Sequence, residues 1–249
     1  MLNDEQLLQY SRHLMLPQID AAGQSEWLKA SVLVVGLGGL GSPVALYLAT
    51  AGVGSLVLAD DDRVELSNLQ RQVIHTHAGI GQFKAESAAE QISSLNPNTH
   101  VTTLCERLEG DQLSDIVSEV DLVVDCTDNF VTRHALNRAC FDLKKPLVSG
   151  AAIRFEGQVT VYDPRHESTP CYQCLYPKDA SVEQNCSTSG VFAPLVGIVG
   201  TIQAAEALKV LANIGETLEG RMLMIDALTM QFQSLKLPRR PTCEVCGSD

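Results

Sequence analysis

Short apolar runs and longer amphipathic stretches alternate through the first 150 positions of the chain. The apolar runs are rich in β-branched residues and have strand length, whereas the amphipathic stretches have the length and spacing of helices. In chain order the predicted elements are strand 32–35, helix 43–51, strand 55–59, helix 84–95, strand 99–104, helix 111–119, strand 121–125, helix 130–143 and strand 146–149. Because strands that alternate with helices pair in parallel, this pattern predicts an α/β fold with a doubly wound, Rossmann-like, mostly parallel sheet.

The pattern differs on both sides of this region. An amphipathic segment runs from Asp4 to about Leu16 and resumes at 27–29. Beyond position 150 the predicted elements are strand 157–162, a loop over 163–190 rich in Pro, Ser and Cys, helix 194–212, and strands near 221–226 and 231–236. We expect these late strands to extend the sheet in antiparallel fashion. The chain is thus predicted to form one domain over 1–249, with two parts at about 30–150 and about 151–249.

Composition narrows the class of protein. The chain has 249 residues and is 45% hydrophobic, which is enough to bury a substantial core. Its formal net charge of -12 opposes binding to nucleic acid or to an anionic membrane, since both require a basic surface. We expect no apolar run of membrane-spanning length, and Met1 to Glu5 lacks the basic start of a signal peptide. These features predict a cytoplasmic protein that binds neither nucleic acid nor membranes.

Closely spaced glycines follow the first predicted strand, at Gly36, Gly38, Gly39 and Gly41. Glycines between a strand and a helix let backbone N–H groups approach a phosphate at the positive end of that helix. Ser42 is the expected N-cap of the helix, with Pro43 at its first position. Asp60, directly after the second strand, stands where a nucleotide-binding fold hydrogen-bonds a ribose hydroxyl. Glycines also occur in ordinary tight turns, so the strand-to-helix context is what favours a nucleotide site.

The polar stretch Ser67–Gln72 helps to distinguish between nucleotides. It carries five polar side chains in six positions, and Lys84 follows soon after. Hydrogen-bond donors at this density suit a triphosphate better than a nicotinamide ring. An NAD-dependent oxidoreductase remains the alternative that the glycines alone allow, and a nucleotide-binding scaffold without catalysis is a third.

A second polar motif, Asp125–Asn129, ends the predicted strand 121–125. In open α/β sheets ligands bind at the carboxyl ends of the strands, so Asp128 and Asn129 should face the same crevice as the glycines. Asp128 is also a suitable N-cap for the helix that starts near position 130. The two roles are compatible, because a carboxylate at a strand end can also ligate Mg²⁺. We therefore expect Asp128 to ligate Mg²⁺ beside a triphosphate.

Eight cysteines include two Cys-x-x-Cys pairs, Cys171/Cys174 and Cys243/Cys246. Four thiolates in two such pairs suit the tetrahedral coordination of structural zinc. Two disulfides would suit a secreted protein, and a redox pair would need only one such motif at the start of a helix. We therefore expect zinc to hold the late loop against the C-terminal segment. The isolated cysteines predicted as small core residues are Cys105, Cys126 and Cys140.

These motifs together resemble those of the MoeB/ThiF family of ubiquitin-activating-type adenylyltransferases, and the resemblance covers nearly the whole chain. The segments that carry it are Tyr10–His13, Gly36–Gly41, Ala59–Asp60, Ser67–Gln72, Lys84, Asp125–Asn129, Ser149–Gln158 and the two Cys-x-x-Cys pairs. The paired glycines, the Ser67–Gln72 stretch and the Asp125–Asn129 stretch form a specific set.

The resemblance implies an activity. It implies ATP-dependent adenylylation of the C-terminal glycine carboxylate of a small ubiquitin-fold sulfur carrier that ends in Gly-Gly, with release of pyrophosphate. It also implies a nucleotide-binding part at about 30–150, a carrier-binding and zinc part at about 151–249, and a homodimer in which Arg12 reaches the phosphates of the neighbouring subunit. The residues implied in catalysis are Arg12, Arg71, Lys84 and Asp128. Those implied in binding ATP and Mg²⁺ are Gly39, Gly41, Asp60, Ser67, Asn68, Leu69, Gln70, Arg71, Lys84, Asp128 and Asn129, with Cys171, Cys174, Cys243 and Cys246 on zinc.

Two branches of the family remain open. Segment 149–158 is closer to the MoeB branch, which acts on the small subunit of molybdopterin synthase in molybdenum cofactor biosynthesis and stops at the adenylate. The ThiF branch acts on the sulfur carrier of the thiamine pathway. Cys186 lies in the late loop, where family members that go beyond the adenylate carry a sulfur nucleophile. We expect Cys186 to take no covalent part, and the identities of the carrier and the sulfur donor stay open.

Overall fold

The computed structural model describes residues 2–178 and 189–247. Its strands are β1 Ser31–Val35, β2 Ser55–Ala59, β3 His100–Leu104, β4 Leu122–Asp125, β5 Leu147–Ile153, β6 Glu156–Tyr162, β7 Arg221–Asp226 and β8 Gln231–Lys236. They form one eight-stranded sheet in the order β3-β2-β1-β4-β5-β6-β7-β8. Strands β1 to β5 pair in parallel, and the pairs from β5 to β8 are antiparallel. The predicted fold class is therefore confirmed.

Helices cover both faces of this sheet. In the described ranges they are α1 Asp4–Gln9, α2 Ser11–Leu14, α3 Asp20–Lys29, α4 Gly41–Ala51, α5 Lys84–Leu95, α6 Gly110–Glu119, α7 Phe130–Asp142, α8 Tyr172–Leu175 and α9 Ala193–Ala212. Side chains of β1 alternate between two cores, as the pleat of a strand requires. Val32 and Val34 pack with α4, α5 and α9 on one face, whereas Leu33 packs with α6 and α7 on the other.

The strand order reverses at β1. This strand pairs with β2 on one side and with β4 on the other. Val35, the last residue of β1, is in register with Asp125, the last residue of β4. In open α/β sheets such a reversal leaves a crevice at the carboxyl ends of the strands. The glycine turn after β1 and the polar segment after β4 therefore meet at one crevice, as the sequence predicts.

The N-terminal part and the late loop differ from the prediction. The N-terminal segment forms three helices, and α3 begins at Asp20 rather than near Trp27. Helix α3 is only weakly amphipathic, so the hydrophobic pattern does not reveal its first turns. The predicted loop 163–190 contains the short helix α8 in its described part. Strand β5 continues to Ile153, beyond the predicted end, because it pairs with β6 in a hairpin.

The start of α4 also needs correction. Ser42 was predicted as the N-cap, but the helix begins at Gly41 and Leu40 holds the cap position without a side-chain hydrogen bond. Leu40 already has right-handed helical dihedrals, so the helix starts earlier than the motif suggests. The Ser42 hydroxyl instead donates to the Gly38 carbonyl at 2.7 Å.

Helix α9 is long and apolar enough to span a membrane by length and composition, with a mean hydropathy of 1.5. The expectation that no apolar run reaches that length is therefore wrong. Half of the apolar window is buried inside the fold, where α9 packs against α4 and β5. A helix that is apolar on nearly all sides suits such a central position.

Candidate functional site

A cleft of about 450 Å³ opens at the carboxyl ends of β1 and β4. The glycine turn, the end of β2, the polar stretch 67–72, the start of α5 and the segment after β4 all contribute to its walls. The residues of the predicted site that line it are Gly39, Asp60, Asn68, Arg71, Lys84, Asp128 and Asn129. Two motifs that lie far apart in the chain are thus brought to one surface.

Three glycines shape the turn between β1 and α4. Gly36 has a φ of +90°, and a Cβ there would lie 2.8 Å from the Cys126 carbonyl oxygen. A Cβ on Gly41 would lie 1.9 Å from the Gly36 carbonyl oxygen. At Gly39 an added Cβ would lie 2.8 Å from Val196 of α9. Since no side chain fits at these points, the turn packs tightly and sets the N-terminus of α4 at the cleft wall, where backbone N–H groups can meet a phosphate.

Asp60 is fixed at the end of β2 by two backbone donors. Its Oδ2 accepts from the Leu37 N–H at 2.6 Å, and its Oδ1 accepts from the Asp62 N–H at 2.9 Å. Burial raises the pKa of Asp60, and the nearby charge of Lys84 opposes that rise. Each carboxylate oxygen retains a second lone pair, so Asp60 can still accept from a ribose hydroxyl in the cleft.

Lys84 supplies a nearly buried positive charge at the start of α5. Its side chain is 7% exposed, and its Nζ donates to Asp62 Oδ2 at 2.7 Å. Asp62 itself is 69% exposed, so this carboxylate can turn to solvent. Lys84 can therefore exchange its partner for phosphate oxygens without being left unpaired.

His75 belongs to none of the predicted motifs, and it supports the glycine turn. Its Nε2 lies 2.9 Å from the Leu37 carbonyl oxygen, and its Nδ1 lies 3.0 Å from Ser87 Oγ. Burial lowers the pKa of His75, which favours the neutral ring. A carbonyl only accepts, so Nε2 carries the proton and Nδ1 accepts from the Ser87 hydroxyl. His75 thereby ties the turn to α5.

The polar stretch places three side chains at the cleft. Asn68 is buried, and its Oδ1 accepts from the Glu65 N–H at 3.0 Å. Arg71 donates from one Nη to the Ser67 carbonyl at 3.1 Å, which uses one of its five donors. Gln72 is 4% exposed, and its Oε1 accepts no hydrogen bond within the described part of the chain. An unpaired buried acceptor at a cleft is a group that a polar ligand can satisfy.

Asp125 organises the segment that follows β4. This fully buried carboxylate accepts from the Thr127 N–H at 3.0 Å, from the Thr127 hydroxyl at 2.7 Å and from the Ser149 hydroxyl at 2.9 Å. The three hydrogen bonds fix the backbone just before Asp128.

Asn129, not Asp128, caps α7. The Asn129 side chain accepts from the Thr132 N–H at 2.9 Å, so the predicted capping role of Asp128 is wrong. Asp128 lines the cleft and is exposed. Within residues 2–178 and 189–247 it makes no hydrogen bond or ion pair, so both carboxylate oxygens are available to a ligand.

Arg133 lines the same cleft, although sequence reasoning did not select it. Its Nη2 donates to the Thr127 carbonyl at 2.5 Å and to the Gly150 carbonyl at 3.3 Å. Its Nε lies 3.9 Å from Asp125 Oδ2, and its side chain is 11% exposed. A single arginine one turn into a helix carries no motif signal, so only the arrangement of β4, β5 and α7 reveals its position.

Five residues of the predicted site do not line the cleft: Arg12, Gly41, Ser67, Leu69 and Gln70. Gly41 serves the close packing of the turn. Ser67 is exposed and its hydroxyl donates to Glu65 at 3.2 Å. Arg12 is exposed on α2, away from the cleft of its own chain, and one Nη lies 3.9 Å from Met15 Sδ. Their predicted roles in ATP binding stay predictions.

The two Cys-x-x-Cys pairs come together in one buried cluster formed by Cys171, Cys174, Cys243 and Cys246. The Sγ atoms of Cys171 and Cys243 are 3.6 Å apart, and those of Cys174 and Cys246 are 3.2 Å apart. All four sulfurs lie within 4.8 Å of one another. A disulfide requires about 2.05 Å, so these thiols are not bonded to each other.

The spacing of the cluster fits a tetrahedral metal ion. Zinc with Zn–S bonds of about 2.3 Å holds neighbouring sulfurs about 3.8 Å apart. The two separations of 3.2 and 3.6 Å are slightly shorter than this value, and all four sulfurs lie within 4.8 Å of one another. The Arg240 N–H donates to the Cys174 sulfur at 3.4 Å. Four soft donors without a water position are typical of a structural rather than a catalytic site.

The other cysteines differ from this group. Cys126 and Cys140 are buried, as predicted, whereas Cys105 is only half-buried. Cys186 lies outside the described residues.

Comparison with solved structures agrees with this architecture. A crystal structure of Escherichia coli MccB with ATP superposes with a TM-score of 0.83. It is 25% identical in sequence, and the match covers 96% of this chain and 73% of that one.

Two sequence relatives match this chain over nearly their whole length. Molybdopterin-synthase adenylyltransferase of Salmonella typhimurium is 48% identical over 246 residues, which cover 99% of this chain and 98% of the relative. Sulfur carrier protein ThiS adenylyltransferase of Escherichia coli is 47% identical over 246 residues, covering 99% and 97%. The model of the ThiF family matches residues 10–245. The chain therefore belongs to the ThiF family.

Proposed function

We propose that this chain is an ATP-dependent adenylyltransferase that activates the C-terminal glycine carboxylate of a small ubiquitin-fold sulfur carrier. The observation that carries this proposal is the convergence of Asp60, Lys84 and Asp128 in one cleft beside the glycine turn. Near-full-length similarity to two relatives named as adenylyltransferases supports it. The small subunit of molybdopterin synthase is the first candidate carrier, because segment 149–158 is closer to that branch.

In the proposed reaction a carboxylate oxygen of the carrier attacks the α-phosphorus of ATP. The new bond joins that oxygen to phosphorus, while the bond from the α-phosphorus to the bridging oxygen of the leaving pyrophosphate breaks. Negative charge builds up on phosphate oxygens, so fixed cations contribute more than a strong base would. Arg71 and Lys84 line the cleft and can supply those cations.

The remaining residues of the cleft suit the other parts of ATP. Asp60 would accept from the ribose, and the N-terminus of α4 at Gly39 would bind phosphate. Asn68 would add a further polar contact. An NAD-dependent oxidoreductase would not account for both Arg71 and Lys84 in the cleft, because a nicotinamide ring offers them no negative charge. The triphosphate is therefore favoured over the dinucleotide.

Asp128 would hold Mg²⁺. Its carboxylate is exposed in the cleft, and the neighbouring Asn129 caps the helix in its place. Oxygen donors of this kind are the ligands that Mg²⁺ prefers. When bound, Mg²⁺ supplies positive charge that neutralises the phosphates.

The site is proposed to be shared between two copies of the chain. Arg12 is an exposed cation outside the cleft of its own chain, and the exposed apolar side chains Leu8, Met15 and Leu16 surround it in sequence. Apolar groups beside a cation on one surface segment are typical of a protein interface. A homodimer would bring Arg12 of one subunit to the phosphates of the other.

The cysteine cluster is proposed to hold structural zinc, with the fit of four buried thiols as its support. The part at about 151–249 would carry this zinc and bind the carrier, and the part at about 30–150 would bind ATP. The cytoplasmic location remains a prediction.

A second candidate carrier is the sulfur carrier of the thiamine pathway. The relative named for ThiS is 47% identical to this chain, almost the same as the relative named for molybdopterin synthase at 48%. Overall identity therefore does not separate the two carriers. ATP–pyrophosphate exchange with each purified carrier added separately tests both the reaction and the choice. Exchange that is absent with every Gly-Gly carrier, while NADH binds tightly, would refute the adenylyltransferase.

Asp128→Asn should lower the kcat of ATP–pyrophosphate exchange by at least about 100-fold and leave the fold intact. The change removes a charged oxygen ligand from the cleft, but Asn129 still caps α7. Asp142→Asn, which alters an exposed carboxylate on the same helix, serves as the control and should exchange normally. Near-normal exchange in Asp128→Asn would remove this residue from the catalytic set.

Mixing Arg12→Ala with Asp128→Asn should restore activity if the sites are shared. Random subunit exchange makes half of the dimers hybrids, and in each hybrid one site carries both defects and the other neither. The expected recovery is about one quarter of the wild-type rate, from these proportions and a two-fold interface. If subunits demonstrably exchange and no activity returns, Arg12 does not act across an interface.

Elemental analysis should find about one zinc per chain, from the four-thiolate ligand count. Cys243→Ala should lose that zinc and lower the melting temperature by at least about 5 °C, while ATP affinity stays unchanged. Cys105→Ala, which alters a half-buried cysteine outside the cluster, should keep the metal. A Cys243→Ala protein that retains its zinc and its melting temperature would disprove the four-cysteine site.

Cys186→Ala should retain carrier adenylylation, because attack on the α-phosphorus needs no enzyme thiol. Intact-protein mass spectrometry of a reaction quenched without reductant checks this expectation. A covalent enzyme–carrier adduct that disappears with thiol reductant and is missing in Cys186→Ala would favour the ThiF branch instead.

A further inference from the structure

A layer of buried polar atoms separates α7 from α8 and β6. Its members are Arg133 Nε, His134 Nδ1, Asn137 Nδ2, Tyr162 OH and Tyr172 OH. Each is shielded from solvent and has no hydrogen bond of good geometry within the ranges that the structure describes, although the Arg133 guanidinium and the Tyr172 phenol are close enough to interact with each other. Buried polar groups left in this state destabilise a fold relative to apolar packing. A concentration of them at one interface therefore calls for a functional explanation.

On one side, this layer contacts the segment that bears Asp128. Arg133 donates to the Thr127 carbonyl, directly before Asp128, and to the Gly150 carbonyl of β5. Its guanidinium also lies beside the Asp125 carboxylate, which holds the Thr127 N–H and hydroxyl. Thr127 is thus held on its carbonyl side by Arg133 and on its N–H side by Asp125. Together these contacts fix the direction in which the next residue leaves the strand.

On the other side, the layer contacts the cysteine cluster. Tyr172 lies between Cys171 and Cys174 in α8, so its backbone position depends on the cluster. Its N–H donates to Asn137 Oδ1 of α7 at 2.8 Å. Its ring packs edge-on against His134, with the ring centroids 5.2 Å apart. The Tyr172 phenol is also near enough to Arg133 for the two groups to interact electrostatically.

We propose that Arg133 is a positioning residue for Asp128, and that Tyr172 makes its placement depend on the cysteine cluster. This inference rests on the proposed function and deepens it. Arg133 does not need to touch the substrate, because its two carbonyl contacts set the backbone that carries Asp128. The Tyr172 side chain limits where the guanidinium can lie. None of the four cysteines lines the cleft. Loss of order at the cysteine cluster would nevertheless reduce turnover there, through Tyr172 and Arg133.

Arg133→Lys is the decisive variant. Lysine keeps the positive charge beside Asp125, but its shorter side chain without the planar guanidinium does not place a nitrogen where Arg133 Nη2 donates to both carbonyls. Tyr172→Phe removes the phenol and keeps the packed ring. Arg138→Lys is the matched control, since Arg138 lies on the same helix and donates to the Glu244 carbonyl of the cysteine segment, but not to Thr127 or Gly150.

Two measurements separate positioning from general stability. Hydrogen exchange with mass spectrometry reports the protection of amides 126–129, and ATP–pyrophosphate exchange with the carrier reports kcat and KM. For Arg133→Lys we expect at least about 10-fold faster amide exchange in 126–129 and a kcat about 100-fold lower, with KM for ATP within about threefold. Tyr172→Phe should move both readouts in the same direction by a smaller factor, and Arg138→Lys should leave both unchanged.

The double variant tests the route through Tyr172. If Tyr172 acts through Arg133, adding Tyr172→Phe to Arg133→Lys should lower kcat no further. Multiplied losses in the double variant would overturn the dependence on Tyr172. Unchanged protection and kcat in Arg133→Lys would overturn the positioning role itself, and a raised KM with unchanged kcat would make Arg133 an ATP contact instead.

Failure of the proposed function gives a different result. If the wild-type protein shows no pyrophosphate exchange with any carrier, the adenylyltransferase proposal fails. Amide exchange in 126–129 then still decides whether Arg133 fixes the segment before Asp128. Arg133→Gln, which removes the charge as well, is a stronger variant, and Arg133→Lys keeps the test decisive if Arg133→Gln does not fold.

Discussion

Close backbone contact between the glycine turn and the end of β4 is the constraint on which the site depends. Gly36 lies so near the Cys126 carbonyl, and Gly41 so near the Gly36 carbonyl, that neither position has space for a side chain. This contact brings the N-terminus of α4 beside the segment that carries Asp128. Gln203 of α9 reinforces it, since its Nε2 donates to the Asp125 carbonyl at 2.8 Å. These contacts therefore define the shape of the cleft at the point where the strand order reverses.

The electrostatics of the cleft contrast with the charge of the chain as a whole. The net charge is -12, yet Lys84 and Arg133 are nearly buried at the cleft and Arg71 lines it. The local cations favour binding of a polyanionic ligand in the cleft, whereas the overall negative charge disfavours its binding elsewhere on the surface. Lys84 pairs with the exposed Asp62 rather than with a buried acid, so the charge is retained in the absence of a ligand and can be redirected to one.

Much of the fold and part of the site follow from the sequence, for identifiable reasons. Apolar runs predict β1, β2 and β4 because both faces of a parallel sheet are covered. The capping assignments failed for two reasons. At α7, Asp128 and Asn129 are both good caps and only the backbone geometry selects Asn129. At α4, the helix begins before Ser42 because Leu40 already has helical dihedrals. Arg133 and His75 were not placed in the site, since each acts through contacts distant in sequence and belongs to no motif. Gln72 belongs to the polar stretch, but only its burial at the cleft shows that its Oε1 is an unpaired acceptor. The clustering of the two cysteine pairs was predicted correctly, because the Cys-x-x-Cys spacing alone indicates a shared metal site.

The cleft is proposed to transfer an adenylyl group to a protein carboxylate. The most direct measurement is the intact mass of a Gly-Gly carrier after incubation with ATP, Mg²⁺ and this protein, quenched in acid. We expect a carrier that has gained one adenylyl group at its C-terminal glycine, and no gain when that glycine is deleted. ATP that binds or is hydrolysed while the carrier mass stays unchanged would contradict it.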